Sequence, residues 1–159
     1  KKGLEKYKFD PPKDPAVLDQ KGCMYVPHVF GIMVNQDLKI RSSDNFLHNV
    51  NNKDNNLNLA FPAAGHEEVR PKLFKKEGPT KFQCEVHPWM SAYAYVSKTP
   101  FFAVTDENGK YEIKGLPAGK YTLGVWHEAY PGLKAAPAEI DVEVLGDEAK
   151  TQDFVFDLK

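Results

Sequence analysis

The sequence predicts an all-β protein in two modules. Short runs rich in branched and aromatic residues are separated by clusters of Gly, Pro, Asn and Asp, which is the pattern of strands joined by turns. Several runs alternate apolar and polar residues with period two: Tyr121, Leu123 and Val125 share one face, as do Ile140, Val142 and Val144, and Phe154, Phe156 and Leu158. Convincing amphipathic helical periodicity is scarce throughout the chain.

Taken in order, residues 1–14 are polar, carry Pro11 and Pro12 with Pro15 close behind, and read as an arm or linker. Strands are expected at 29–34, 38–41, 81–84, 92–97, 110–114, 121–126, 139–144 and 153–158. The Asn-rich stretch 51–58 reads as a solvated connection. Lys98-Thr99-Pro100 reads as a boundary. After it, Asn108-Gly109 predicts a tight hairpin, and Gly115-Leu116-Pro117-Ala118-Gly119 a second tight connection. The expected division is therefore an arm (1–14), a first β domain (15–99) and a second module (100–159).

The bulk properties narrow the function. With 159 residues and 42% hydrophobic content, the chain can build a packed core. A net charge of −1 gives no basic bias toward nucleic acid or anionic lipid. No apolar run approaches the roughly 20 residues of a spanning helix, and no apolar leader segment is recognisable. The chain begins Lys1-Lys2-Gly3 without Met, which reads as processing or truncation.

The richest chemistry lies in Cys84-Glu85-Val86-His87-Pro88-Trp89-Met90, which puts a thiolate, an imidazole and a thioether in one short loop. His48-Asn49-Val50 adds a second imidazole from upstream. Soft sulfur with imidazole suits copper rather than magnesium or calcium, and two His, one Cys and a weak axial Met form an electron-transfer copper site. Copper in its two oxidation states prefers different geometries, so fast electron exchange calls for ligands held rigidly on a β scaffold. Cys23 then stays unpaired within the chain, or pairs with a segment outside it. A Cys23–Cys84 disulfide is the simpler alternative for two cysteines.

Leu47-His48-Asn49-Val50, followed by Cys84-x₂-His87-x₂-Met90, resembles the cupredoxins, the type 1 blue copper proteins. The spacing, with Pro88 after the His and an aromatic before the Met, is most similar to the amicyanin kind; plastocyanin-like loops are longer. The approach Asn35-Gln36-Asp37-Leu38-Lys39-Ile40-Arg41-Ser42-Ser43-Asp44 is similar to the same family. The resemblance spans about residues 22–98. It implies a Greek-key sandwich and one type 1 copper per chain bound by His48, Cys84, His87 and Met90. It makes Asn49 the residue that ties the two ligand loops together and donates a backbone N–H toward the Cys84 sulfur. It makes His87 the electron port, flanked by Pro88 and Trp89 in an apolar docking patch. The implied role is non-enzymatic: single-electron carriage outside the cytoplasm between redox proteins such as a cytochrome and a dehydrogenase, with membrane association through a complex as a further possibility. Asn51 and Asn52 depart from the family, where a hydrophobic strand residue usually follows, and predict that this strand ends early.

Other assignments of the same residues are weaker. A binuclear copper loop needs a second Cys where Val86 and His87 stand. Structural zinc sites favour paired CxxC or HxxxH spacing. A Cys84 nucleophile lacks a base and an orienting partner in the sequence. His28 and Cys23 lie an odd number of residues apart and face opposite sides of a regular strand. His66 reads as solvated, and His127, beside Glu128, as a capped structural residue. Residues 101–158, through the Asn-Gly hairpin and Gly115-Leu116-Pro117-Ala118-Gly119-Lys120-Tyr121, resemble the carboxypeptidase regulatory-like, transthyretin-like sandwich without its first strands. Either the N-terminal arm returns to complete that sheet, or a partner chain or a segment upstream of Lys1 does. The alternative function is a structural or adhesion subunit of a larger extracytoplasmic complex.

Overall fold

The computed structural model describes residues 2–129, 134–135, 139–146 and 149–157. Contacts divide the chain into residues 9–112, and residues 1–8 with 113–159. The division thus falls after Lys8 and Glu112, not after residues 14 and 99. Aromatic packing is the reason: Phe101 meets Phe9 edge-on at 5.5 Å, and Phe102 lies over Gly31.

The first unit holds nine strands: β1 (Ala16–Gln20), β2 (Tyr25–Val26), β3 (Val29–Met33), β4 (Leu38–Ser42), β5 (His48–Asn52), β6 (Leu57–Phe61), β7 (Glu67–Arg70), β8 (Gly78–Gln83) and β9 (Ser91–Ser97). They form two sheets, ordered β2-β1-β4-β7 and β3-β9-β8-β5-β6. Leu18, Leu38 and Ile40 from one sheet and Phe30, Ile32, Val50, Phe61 and Phe82 from the other share a single core cluster, so the sheets pack face to face as a sandwich. The expected all-β architecture is the observed one. Small residues accommodate large ones across the ladder: Ala94 pairs with Phe30, and Ala92 with Phe82.

Gly31 of β3 follows the same logic. A Cβ built there would collide with the Phe102 ring. Gly31→Ala is expected to lower stability by about 1–3 kcal/mol through overpacking, measured as a lower urea midpoint at unchanged slope.

Residues 51–58 are not a solvated loop. β5 continues through Asn52, a 3-10 turn at Lys53–Asn55 reverses the chain, and β6 begins at Leu57. Asn56 closes the turn in the left-handed region at φ 51, which Asn tolerates well. The strand does not end early because its asparagines bond inside the protein. Asn52 is fully buried; its Oδ1 accepts the Asn55 N–H at 3.1 Å, and its Nδ2 donates to Thr80 Oγ1 at 2.8 Å. β1 escaped sequence reading for a similar reason. Asp19 and Gln20 look like loop residues, yet Asp19 is buried against Arg41 at 2.8 Å and accepts from Ser43.

The expected strand 110–114 does not form, although its turn does. Asp106 closes the turn: its Oδ1 accepts the backbone N–H of Asn108 at 2.9 Å and of Lys110 at 2.8 Å, and its own N–H donates to Lys110 O at 2.9 Å.

The second unit contains β10 (Gly119–Gly124), β11 (Lys134–Ala135), β12 (Glu139–Val144) and β13 (Phe156–Asp157). β10 pairs antiparallel with β12, and β11 with β13. Ile140, Val142 and Val144 are the less exposed residues of β12, as its alternation predicts. Lys2 bridges to Thr122, whose N–H donates to Lys2 O at 3.2 Å, so the N-terminal residues extend the β10 edge. Gly3, at φ 101, lies where a side chain would strike the Lys120 carbonyl. Within this unit, the exposed His127 accepts the Ala129 N–H on Nδ1 at 3.1 Å. Leu158, placed in the last expected strand, lies outside the described residues.

Candidate metal centre

β5 and β8 share one ladder pair, Asn51 with Gln83, and the register is antiparallel. Moving from Asn51 back to His48 therefore runs beside moving from Gln83 on to His87. Both candidate ligand stretches leave the sheet at the same end. Beyond the pair, the Asn49 side chain replaces the ladder: its Oδ1 accepts the Glu85 N–H at 3.1 Å. Asn49 thus joins the two stretches. The amide N–H found on the Cys84 sulfur is that of His87, at 3.3 Å.

The loop after β8 folds back on itself. Cys84 N–H donates to Met90 O at 3.1 Å, and Met90 N–H to His87 O at 2.9 Å. Gln83 Nε2 reinforces the closure by donating to Pro88 O at 2.7 Å and Met90 O at 3.0 Å. Cys84 and Met90 are buried in the core cluster with Phe82 and Val50.

His48 Nδ1 lies 3.0 Å from His87 Nδ1, and Cys84 Sγ lies 3.9 Å from His87 Nδ1. The ligand atoms of His48, Cys84 and His87 all fall within 4.8 Å of one another. Two imidazole nitrogens this close face each other lone pair to lone pair unless a proton or a cation lies between them. With metal bonds of about 2.0 Å to nitrogen and about 2.3 Å to sulfur, these separations subtend about 100° and about 130°, within reach of a distorted tetrahedron. The donor set therefore fits a thiophilic transition metal.

His48 is fully buried, and its Nε2 lies 2.9 Å from Asp44 Oδ2. Burial pushes the Asp44 carboxyl up, but the N–H groups of Cys23 and Gly22, followed by His48, outweigh it and hold the group below the usual carboxylate range. Tyr25, buried beside the loop, donates its hydroxyl to Asn49 O at 2.5 Å. Burial, and then the neighbouring Cys84, pushes the Tyr25 hydroxyl well above its ordinary range, so it stays protonated.

The His87 ring is bordered by Trp89 at 5.1 Å and Phe46 at 6.1 Å, centroid to centroid. Trp89, Phe46, Leu47 and Val86 are all substantially exposed around it. Among the described residues the other histidines join no such cluster. His28 Nδ1 lies 2.9 Å from Ser91 O, and His66 packs edge-on against Phe61. Cys23 and Cys84 are both free thiols.

Sequence reasoning singled out His48, Asn49, Cys84, His87, Pro88, Trp89 and Met90. The structure adds Asp44, Tyr25, Gln83 and Phe46. Asp44, four residues before a candidate ligand, was the one with a legible signal, since imidazole ligands commonly lean on a carboxylate.

No protein-family model matches the chain. No curated protein matches it. Solved structures resemble about half of the chain. A copper(I) amicyanin variant is 17% identical, with 52% of this chain and 82% of that chain covered and a TM-score of 0.44. A purple cupredoxin from Nitrosopumilus maritimus is 21% identical, with 52% and 99% covered and a TM-score of 0.44. A copper-containing nitrite reductase from Thermus scotoductus is 23% identical, with 54% and 23% covered and a TM-score of 0.44. Similarity at this level says nothing of ligand, activity or partner.

Proposed function

We propose that this chain is a mononuclear type 1 copper protein that carries single electrons between redox partners outside the cytoplasm. The observation carrying the proposal is the convergence of one ligand atom each from His48, Cys84 and His87 within 4.8 Å at one end of the sandwich. Copper held there would supply a one-electron couple at a potential the surrounding protein can tune. Met90, closing the same loop, would supply a further, weak thioether donor. Zinc accepts a Cys-His₂ set too, but makes no use of a thioether.

The protein's own part is to hold the ligands still and to admit a partner. Gln83, Asn49 and Tyr25 tie the ligand stretches to each other and to β2, which limits rearrangement between oxidation states. His87 is the half-buried member of the cluster, with the apolar Phe46, Val86 and Trp89 beside it. Such a rim suits brief docking of an electron donor, for example a dehydrogenase, and then of an acceptor, for example a cytochrome. The second unit is read as a transthyretin-like module serving assembly. No described helix is long and apolar enough to cross a membrane.

Titration of the purified protein with Cu(II) tests the proposal. One equivalent is expected to produce an intense visible thiolate-to-copper band and an EPR spectrum with narrow copper hyperfine splitting. A colourless adduct, or a protein that takes up zinc and not copper, would overturn it and leave a structural β-sandwich subunit.

A further inference from the structure

The two-residue turn between β1 and β2 is an unusual support for a candidate metal ligand. Lys21 and Met24 exchange backbone hydrogen bonds at 2.9 and 3.3 Å, which leaves Gly22 and Cys23 as the central residues of a hairpin turn. Both have positive φ, 65° for Gly22 and 56° for Cys23, the conformation of a type I′ turn. That type favours Asn and Gly, and a cysteine in the left-handed region is held there under strain. The successive N–H groups of such a turn form a concavity suited to an anion. Here the anion is the Asp44 side chain: Gly22 N–H donates to Oδ1 at 2.8 Å and Cys23 N–H to Oδ2 at 2.9 Å. Oδ2 also meets His48 Nε2 at 2.9 Å. The carbonyl of the turn serves the other ligand stretch, since Cys23 O accepts Trp89 Nε1–H at 3.2 Å.

We propose that Asp44, seated in the Gly22–Cys23 turn, is the positioning residue that keeps the His48 proton on Nε2, aims Nδ1 at Cys84 and His87, and lowers the reduction potential of copper bound there. A carboxylate that already takes two backbone donors is fixed in place and has no donor of its own. The imidazole nitrogen facing it must therefore carry the hydrogen, and in the neutral ring that leaves the nitrogen facing the cluster to present a lone pair. The same negative charge, placed behind the imidazole, favours the more highly charged Cu(II) over Cu(I). The potential part of this proposal rests on the copper reading above; the tautomer part does not.

Two measurements test it on the full chain. In the metal-free protein, long-range ¹H–¹⁵N spectra are expected to show His48 as the Nε2–H tautomer; an Nδ1–H tautomer would overturn the proposal, whatever the variant does. In the copper-loaded protein, Asp44→Asn removes the charge and turns an amide donor toward groups that are donors themselves. Its Cu(II) affinity is expected to fall about 10–100-fold, with Cu(I) affinity falling less. A tenfold difference between the two losses raises the potential by about 59 mV for a one-electron couple. An Asp44→Asn protein with unchanged potential and unchanged visible spectrum would show that Asp44 only braces the turn. A parent chain that binds no copper would remove the functional reading instead, while the tautomer result would still stand.

Discussion

Cys84→Ser is expected to abolish the visible band and the narrow EPR splitting completely while leaving the protein folded. The two halves of that expectation have separate causes. Colour requires a thiolate, and an alkoxide is neither formed at neutral pH nor soft enough to replace it. Copper affinity should therefore fall by more than the roughly 10–100-fold lost with an outer-shell partner. Folding should survive because the new hydroxyl is nearly isosteric and inherits a partner: the His87 N–H that now donates to Cys84 Sγ at 3.3 Å. Thermal scans separate the two effects. Copper at about 1,000 times its dissociation constant stabilises a protein that binds it only when folded by about 4 kcal/mol, so the parent's Tm should rise on adding copper and that of Cys84→Ser should not. A variant that stays coloured would mean that Cys84 is not the thiolate. A variant unfolded without metal would mean that the thiol serves the core, not the site.

The candidate ligands were legible because their signal is local and chemical. Cys84, His87 and Met90 lie three residues apart in one loop, and few arrangements of those atoms make sense without a metal. Asn49 was legible only by family resemblance, and its side chain does bridge the two stretches. The residues that brace the site were harder to see, because their partners are distant in sequence. Asp44 matters through a turn 21 and 22 residues away, and Tyr25 through the carbonyl of Asn49. The fold follows the same rule. β9 and β12 alternate openly and were legible, whereas β1 and β5 bury polar side chains. Asp19, Asn51 and Asn52 look solvated by composition, but partners distant in sequence and available only in the assembled sandwich take up their side chains; Gln20 donates its Nε2 to Arg41 O at 3.2 Å, while its Oε1 is buried without a partner. The turn at 106–110 formed without the strand expected after it, and Asp106, a residue outside the Asn-Gly dipeptide, is what closes it.

Phe82→Ala should be among the most destabilising single changes in the first unit, at about 3–5 kcal/mol. Phe82 is fully buried in β8, stacked on Phe30 at 6.0 Å and edge-on to Phe74 at 6.3 Å, both of them buried. Truncation removes the transfer free energy of the ring, leaves a cavity between two packed sheets, and breaks two aromatic contacts worth about 0.5–1.5 kcal/mol each beyond their area. The neighbours cannot close the gap cheaply, because Phe82's cross-strand partner is the small Ala92. Against a typical total of about 5–15 kcal/mol, such a loss removes about a fifth of the stability or more. At about 4–8 °C per kcal/mol for a domain of this size, it should lower Tm by 12 °C or more. Phe46→Ala supplies the contrast. That ring is 46% exposed beside the candidate centre, so its removal should change stability by no more than about 0.5 kcal/mol. The two variants separate a core role from a surface one: Phe82→Ala should shift the urea midpoint at unchanged slope, and Phe46→Ala should leave it in place. Phe82 also lies two residues before Cys84, on the strand that delivers the thiol. Even where Phe82→Ala stays folded at low temperature, its copper spectrum should broaden as the Cys84 loop loses its fixed base. An unbroadened spectrum with a loss below 1 kcal/mol would mean that the loop is held by Gln83 and Asn49 alone.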